Sequence, residues 1–402
     1  MKVLVFSTAY LPFIGGAEIA VKEITGRIKG IEFDLITARL DKKLPWKEKI
    51  GRVNIYRLGF GFKIDKFLLP LLGFFQAINL NRENNYSVIW SIMASQGSLA
   101  ASFFKILHPE KKLLLNMQEG DEEEHLKRYA FGNEILFKIF VQPIHRLVIK
   151  KADCITAISA SLKERAISSG AKCPIIIVPN GVDVEKFFAQ GEFAPDGKVL
   201  CPRQFLIEDF KKKLGIENDE KVIVTVSRLV KKNGIEDLIR GVNLLAEENP
   251  EIKWKLLIIG SGELEDRLKR LSSELNLDKI IIFLGSVSHN EVPRYLWISD
   301  IFIRPSLSEG LGNVFLEAMA AGTPVIATPV GGIVDFLKDN ETGLFCQPSD
   351  PVSIKNKLLN LFNDKELSGR LALNGEKIVR EKYGWTLIAE SYFRIFKEIS
   401  DK

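Results

Sequence analysis

Short, near-continuous apolar runs alternate along the chain with longer stretches whose apolar residues recur every three or four positions. In the first half the runs are KVLVFS, FDLIT, YSVIWSI, KLLLNM, DCITAIS and PIIIVPN. Apolar runs of about four to eight residues, spaced by amphipathic helical patterns, predict parallel strands buried on both faces. The result is a doubly wound α/β unit. After VPNGVDVEKFFAQGEFAPDGK the pattern restarts with KVIVTVS, KWKLLIIG, KIIIFLG, DIFIRPS and TPVIATP, which predicts a second such unit. Residues 185 to 215, rich in glycine, proline and charge, form the expected boundary region. The expected division is residues 1–190, 191–380 and a tail over 381–402. In that tail Trp385, Ile388, Ala389, Tyr392, Phe393, Ile395 and Phe396 have the spacing of an amphipathic helix, expected to pack back on the first domain. Two α/β domains facing each other would leave a cleft for ligands.

A chain of 402 residues exceeds one ordinary core, and 46% hydrophobic with 27% charged residues excludes a disordered or fibrous protein. The formal net charge is +5, from 56 basic and 51 acidic residues mixed without long single-sign runs. That balance is too mild to argue for nucleic acid, so no nucleic-acid partner is expected, and it suits an anionic small molecule or an anionic membrane surface equally well. Cys154, Cys173, Cys201 and Cys346 form no CxxC pair, and His108, His125, His145 and His289 are dispersed. Neither a disulfide framework nor a metal cluster is signalled, so the expectations are a reducing cytoplasmic location and no metal. Ser7, Thr8 and Pro12 interrupt the apolar start, which reads as a first strand rather than a secretory signal. No apolar segment approaches the roughly 18 residues needed to cross a bilayer.

Four stretches carry candidate chemistry. In STAYLPFIGGAEIAVKEI a strand ends near Ser7 and a helix begins at Gly15-Gly16, where free N–H groups attract phosphate, although a Gly-Gly turn also serves purely structural ends. In VTVSRLVKKNGIEDLI, Arg228, Lys231 and Lys232 follow a buried strand and could neutralise a diphosphate, or be a solvated basic turn. LLIIGSGELEDRLKRL places Gly260 in another strand-to-helix turn, with the same two readings. The fourth, PSLSEGLGNVFLEAMAAGTPVIAT, is the most informative. Glu309 and Glu317 are eight apart (317 − 309 = 8), with Gly310, Leu311 and Gly312 in a loop before a helix starting near Asn313. Glu317 then lies about 6 Å along that helix at its usual rise. A carboxylate can hold two vicinal hydroxyls, and exposed amides suit phosphate. The apolar neighbours Leu316, Ala318, Met319, Ala320 and Ala321 demand a partner for Glu317.

Together these stretches resemble the retaining glycosyltransferases of family 4, which have the two-domain GT-B architecture. The resemblance spans nearly the whole chain, through GGAE, VPNGVDVEKF, VSRLVKKNGIEDLI, IIGSGELEDRLKRL, FLGSV, the E-x7-E block, GGIVDFL and TGLF. It implies that Glu309 contacts hydroxyls of the transferred sugar, that the amides of Gly310, Leu311, Gly312, Asn313 and Val314 meet its phosphates, and that Glu317 holds the ribose hydroxyls. Arg228 would stabilise the leaving diphosphate with a lysine, Gly15 and Gly16 would approach the phosphates from the first domain, and backbone near Val287 would meet the base. Asn233 stands where many relatives carry lysine, which leaves Lys231 or Lys232, with Lys232 favoured. Where many relatives carry a first-domain histidine, this chain has Gln118, Glu119 and Asp121, the acceptor-side candidates.

The reaction so implied moves a sugar from a nucleotide-diphosphate donor to a hydroxyl of a sugar, glycan or lipid-linked acceptor, with retained anomeric configuration and no cofactor or metal. Domain closure would keep water from the donor. FKIDKFLLPLLGFFQAI and GNEILFKIFVQPIHRLVIKK mix bulky apolar residues with lysine and arginine, as peripheral membrane contact or ordinary core-facing helices would. Two other readings keep the donor site: a GT-B sugar-nucleotide epimerase and a non-catalytic nucleotide-sugar sensor.

Overall fold

The computed structural model describes all residues except 14, 119–141, 189–191, 194–198, 202 and 402; for 142–144, 192–193, 199–201 and 203–206 it describes the backbone alone. It divides into two units: Met1–Gly181 with Trp385–Lys402, and Val182–Gly384. The divide falls at Gly181 and again at Gly384, so the expected boundary stretch, residues 185 to 215, belongs to the second unit.

The first unit is built on an eight-stranded sheet in the order β3-β4-β2-β1-β5-β6-β7-β8. Its strands are β1 Lys2–Phe6, β2 Glu32–Ala38, β3 Lys47–Ile50, β4 Val53–Leu58, β5 Val88–Ile92, β6 Lys112–Met117, β7 Cys154–Ala157 and β8 Ile175–Ile177. All neighbours pair in parallel except β3 with β4. The β3–β4 hairpin was not foreseen, because VNIYRL alternates instead of running apolar. Val53, Ile55 and Arg57 face inward on it, and Arg57, 1% exposed, pairs with Glu48 and donates to the Leu11 carbonyl at 2.6 Å. An arginine takes a core position there because its charge is paired with Glu48 and one arm of its fork meets a carbonyl.

The helix Trp385–Ser400 returns to this unit. Trp385, Ile388, Ala389, Tyr392, Ile395 and Phe396 are buried in the same core cluster as Val5, Phe33 and Trp90. Its Tyr392 hydroxyl accepts from Asn116 Nδ2 at 2.7 Å and lies 3.2 Å from Thr156 Oγ1, which ties the helix to the ends of β6 and β7. Burial pushes the phenol's pKa well up, so it stays protonated as a donor. Tyr392→Phe is expected to lower the stability of the first unit by about 1–2 kcal/mol, since a buried amide loses one acceptor. Urea unfolding followed by the near-ultraviolet signal of Trp90, 5.3 Å from the Tyr392 ring, checks this.

The second unit contains β9 Glu192–Phe193, β10 Val199–Cys201, β11 Lys221–Val226, β12 Trp254–Ile259, β13 Ile281–Gly285, β14 Ile301–Arg304, β15 Val325–Ala327 and β16 Leu344–Phe345. β9 and β10 form a separate antiparallel ladder. The other six form one parallel sheet in the order β13-β12-β11-β14-β15-β16. The chain therefore runs outward from β11 to β13, then returns to lie beside β11 as β14. Such a reversal splays the loops that follow β11 and β14, and ligands of doubly wound sheets bind in the crevice outside those strand ends. Both units are thus Rossmann-like α/β domains with parallel sheets.

Candidate active site

The loops following β11, β12, β14 and β15 are locked together by backbone contacts that tolerate no side chain. Gly260 has φ +130, and a Cβ there would sit 1.8 Å from the Ser227 carbonyl oxygen; one on Gly234, φ +68, would sit 2.0 Å from that of Pro305. At Gly331, φ +55, it would meet the Glu309 carbonyl oxygen at 1.8 Å. The glycine conformations and the close approaches go together. Backbone bonds complete the seam: Leu229 N–H to the Ser261 carbonyl at 2.9 Å, Leu307 N–H to the Lys232 carbonyl at 2.7 Å, and Gly332 N–H to the Glu309 carbonyl at 3.2 Å. Gly260 is therefore needed for the loop's path, whatever it contributes to a ligand.

On this frame stand the charged groups. Arg228, just past β11, is exposed, and its guanidinium makes no ion pair or hydrogen bond among the described residues. Lys231 is exposed and Lys232 buried. Asn233 is also buried and donates from Nδ2 to the Arg228 carbonyl at 2.7 Å. Asn233 thus braces the turn carrying Arg228.

The sequence reading missed Arg304, the last residue of β14. It is 6% exposed, pairs with Glu309 through Nη2 and donates from Nε to Ser306 Oγ at 3.0 Å. Its guanidinium carbon lies 4.5 Å from the centre of the Phe315 ring. Burial holds its pKa below the ordinary arginine value, Glu309 and Glu317 push it back up, and Arg228 adds to the lowering. The four charges therefore share one electrostatic neighbourhood. An arginine before Pro305 at the end of an apolar strand was the available signal, because a buried guanidinium requires an anion. Arg304→Met should destabilise the second unit by about 2 kcal/mol, and adding Glu309→Gln should recover part of it, since the loss comes from an unpaired carboxylate. Urea midpoints of the two single variants and the double variant measure that coupling.

Gly312, φ +84, caps the helix Asn313–Ala320. The first turn of a helix leaves its N–H groups without intrahelical partners, here those of Asn313 and Val314, while Phe315 N–H returns to the Gly312 carbonyl at 3.0 Å. Gly310 N–H lies 3.1 Å from Glu309 Oε1, and the Leu311 side chain is buried. One turn along, Glu317 Oε1 lies 2.9 Å from His289 Nε2, and His289 Nδ1 lies 3.0 Å from Lys186 Nζ. Lysine can only donate, so Nδ1 accepts and Nε2–H donates to Glu317. His289, which looked merely dispersed in the sequence, stands two residues beyond Val287, which is half-buried. Lys186 also reaches Asn290 Oδ1 at 3.1 Å. The second unit thus brings together Arg228, Lys232, Glu309, the 310–314 loop and Glu317.

Gly15 and Gly16 belong to the first unit, where Gly15 caps the helix Gly16–Arg27. Glu18 turns back on that helix start, accepting from the Gly15 backbone, and burial raises its pKa. A carboxylate therefore already sits among these amides. Gln118, past β6, donates to Asn116 Oδ1 at 2.7 Å and accepts from Asn180 Nδ2 at 3.0 Å. Glu119 and Asp121 lie outside the described residues. Among the described residues no group of three or more histidine, cysteine, aspartate or glutamate side chains could hold a metal ion, and no helix is long and apolar enough to cross a membrane.

Family models match both units: Glycosyltransferase Family 4 over residues 14–186 and Glycosyl transferases group 1 over residues 207–378. The chain belongs to the family 4 type of glycosyltransferases. It is 28% identical to an uncharacterized glycosyltransferase of Methanocaldococcus jannaschii, over 99% of this chain and 98% of that one. It is also 28% identical, with the same coverage, to the N-acetyl-alpha-D-glucosaminyl L-malate synthase of Bacillus anthracis. Among solved structures it is similar to the sucrose-phosphate synthase of Thermosynechococcus elongatus, with a TM-score of 0.80 at 21% identity, covering 99% of this chain and 98% of that one. That likeness identifies the fold as GT-B.

Proposed function

We propose that this glycosyltransferase moves a hexosyl group from a nucleotide-diphosphate sugar to an acceptor hydroxyl with retention of anomeric configuration. The observation that carries the reading is the convergence, at the switch point between β11 and β14, of an unpaired exposed arginine, a helix start and two carboxylates. Glu317 grips the ribose hydroxyls of the donor, and the amides of residues 310–314 with Lys232 hold its phosphates. Glu309, steadied by Arg304, orients the sugar. As the glycosidic bond breaks, negative charge grows on the departing diphosphate, where Arg228 stabilises it. The acceptor is a sugar, a glycan or a lipid-linked hydroxyl, and Gln118 is its candidate contact in the first unit.

Donor turnover with and without candidate acceptors tests this. The proposal expects nucleoside diphosphate to be released only when acceptor is present. Isomerised sugar still joined to nucleotide would point to an epimerase, and binding without turnover to a sensor.

A further inference from the structure

One surface of the first unit has no part in donor chemistry. Between β4 and the helix Leu69–Glu83, and along that helix, Phe60, Phe62, Ile64, Phe67, Leu71 and Phe75 are all half or more exposed, from 50% at Phe62 to 67% at Phe60. The apolar surface continues through Phe74, whose ring lies 5.3 Å from Phe75 and 6.5 Å from Phe103 on the neighbouring helix Gln96–Leu107. Scattered exposed hydrophobics need no explanation, but a contiguous group of large ones marks a docking surface.

The charges around it are mostly basic: the exposed acid of the neighbouring loop, Asp41, accepts from Lys43 N–H at 2.8 Å and is outnumbered by Lys42, Lys43, Lys63 and Lys66. In the segment from residue 59 to 75 the acidic residue is Asp65, 1% exposed, whose carboxylate turns inward to accept from Gly61 N–H at 2.6 Å and Phe62 N–H at 3.0 Å. Lys63 is exposed and Lys66 half-buried, and the loop carrying Lys42 and Lys43 packs against Gly61. Lys42 Nζ lies 4.2 Å from the Phe62 ring centre, Lys66 Nζ 5.0 Å from that of Phe67, and the Arg39 guanidinium carbon 4.5 Å from that of exposed Trp46. Apolar rings with long cationic side chains beside them can enter the acyl boundary while their ammonium groups stay at headgroup depth.

We propose that this face docks on the surface of an anionic phospholipid bilayer. Charge complementarity selects that occupant. A second copy of the chain would bring Lys42, Lys63 and Lys66 against their own counterparts, a like-charge juxtaposition that opposes association, whereas anionic headgroups attract each lysine and the aromatic rings gain apolar surroundings. The inference is independent of the donor site. It places the first unit beside lipid-borne hydroxyls.

The test is sedimentation of the full chain with sucrose-loaded vesicles, phosphatidylglycerol with phosphatidylcholine against phosphatidylcholine alone, without nucleotide sugar. The expected result is partition onto the anionic vesicles, weakened by salt. It should fall about tenfold or more in both Phe62→Ser/Phe67→Ser and Lys63→Glu/Lys66→Glu. Phe62, Phe67 and Lys63 are exposed and Lys66 is half-buried, so an unchanged circular dichroism spectrum is expected of both variants. Absence of binding by the parent chain, unchanged binding by folded variants, or a concentration-dependent dimer abolished by the same substitutions would overturn the proposal. None of these outcomes would touch the transferase reading, because no donor is present.

Discussion

Arg228→Ala is expected to lower kcat by about 10²- to 10³-fold while changing donor KM far less, the usual consequence of removing a donor aimed at charge that develops in the transition state. The side chain is suited to that part because nothing else claims it: among the described residues its guanidinium has no partner. Its neighbour Arg304, by contrast, is buried and committed to Glu309. The substitution also leaves the frame intact. Asn233 bonds the Arg228 carbonyl, not the side chain, and an alanine keeps that carbonyl in place. Arg228→Lys should restore part of the rate, since it returns the charge without the planar fork. Initial rates over a range of donor concentrations for the three proteins separate kcat from KM. A full-strength kcat in the alanine variant would remove Arg228 from the chemistry.

The architecture was legible in the sequence wherever strands are buried on both faces. KVLVFS, KVIVTVS and DIFIRPS announce themselves because a parallel strand under two helical layers has no polar side to show. VNIYRL escaped for the opposite reason: its polar positions belong to a strand paired antiparallel to β3, and its inward Arg57 reads as a surface residue until Glu48 and the Leu11 carbonyl are seen beside it. The placement of the two candidate glutamates was legible in the E-x7-E block, whose pattern puts one in a loop and the other a turn into a helix. The sequence hid the partners of those glutamates. Arg304 is five residues before Glu309, yet its role depends on the loop folding back over the end of β14. His289 is 28 residues before Glu317 and Lys186 is 103 before His289, separations that only the sheet order closes. The position of Asn233 was visible, but not its use, since a hydrogen bond to a backbone carbonyl leaves no pattern in composition.

Glu317 offers the second large effect. Its carboxylate is half-buried in an apolar helix and is held by His289 Nε2–H. On the proposed reading, ribose hydroxyls would present the same kind of donor to the same oxygens. His289 keeps the carboxylate oriented, with Lys186 fixing the tautomer from the other ring nitrogen. Two charge-assisted hydrogen bonds lost from a largely enclosed site correspond to about 10²-fold in affinity. The phosphate contacts and Arg228 lie elsewhere in the site and would persist, so the donor's diphosphate alone would retain weak binding.

The measurement that bears most directly on the donor site is therefore a calorimetric titration of uridine and guanosine diphosphates into the parent protein and Glu317→Ala. The account predicts that one nucleotide binds the parent protein at a single site and that its affinity falls by about 10²-fold in the variant. Equal affinity in the two proteins would contradict it.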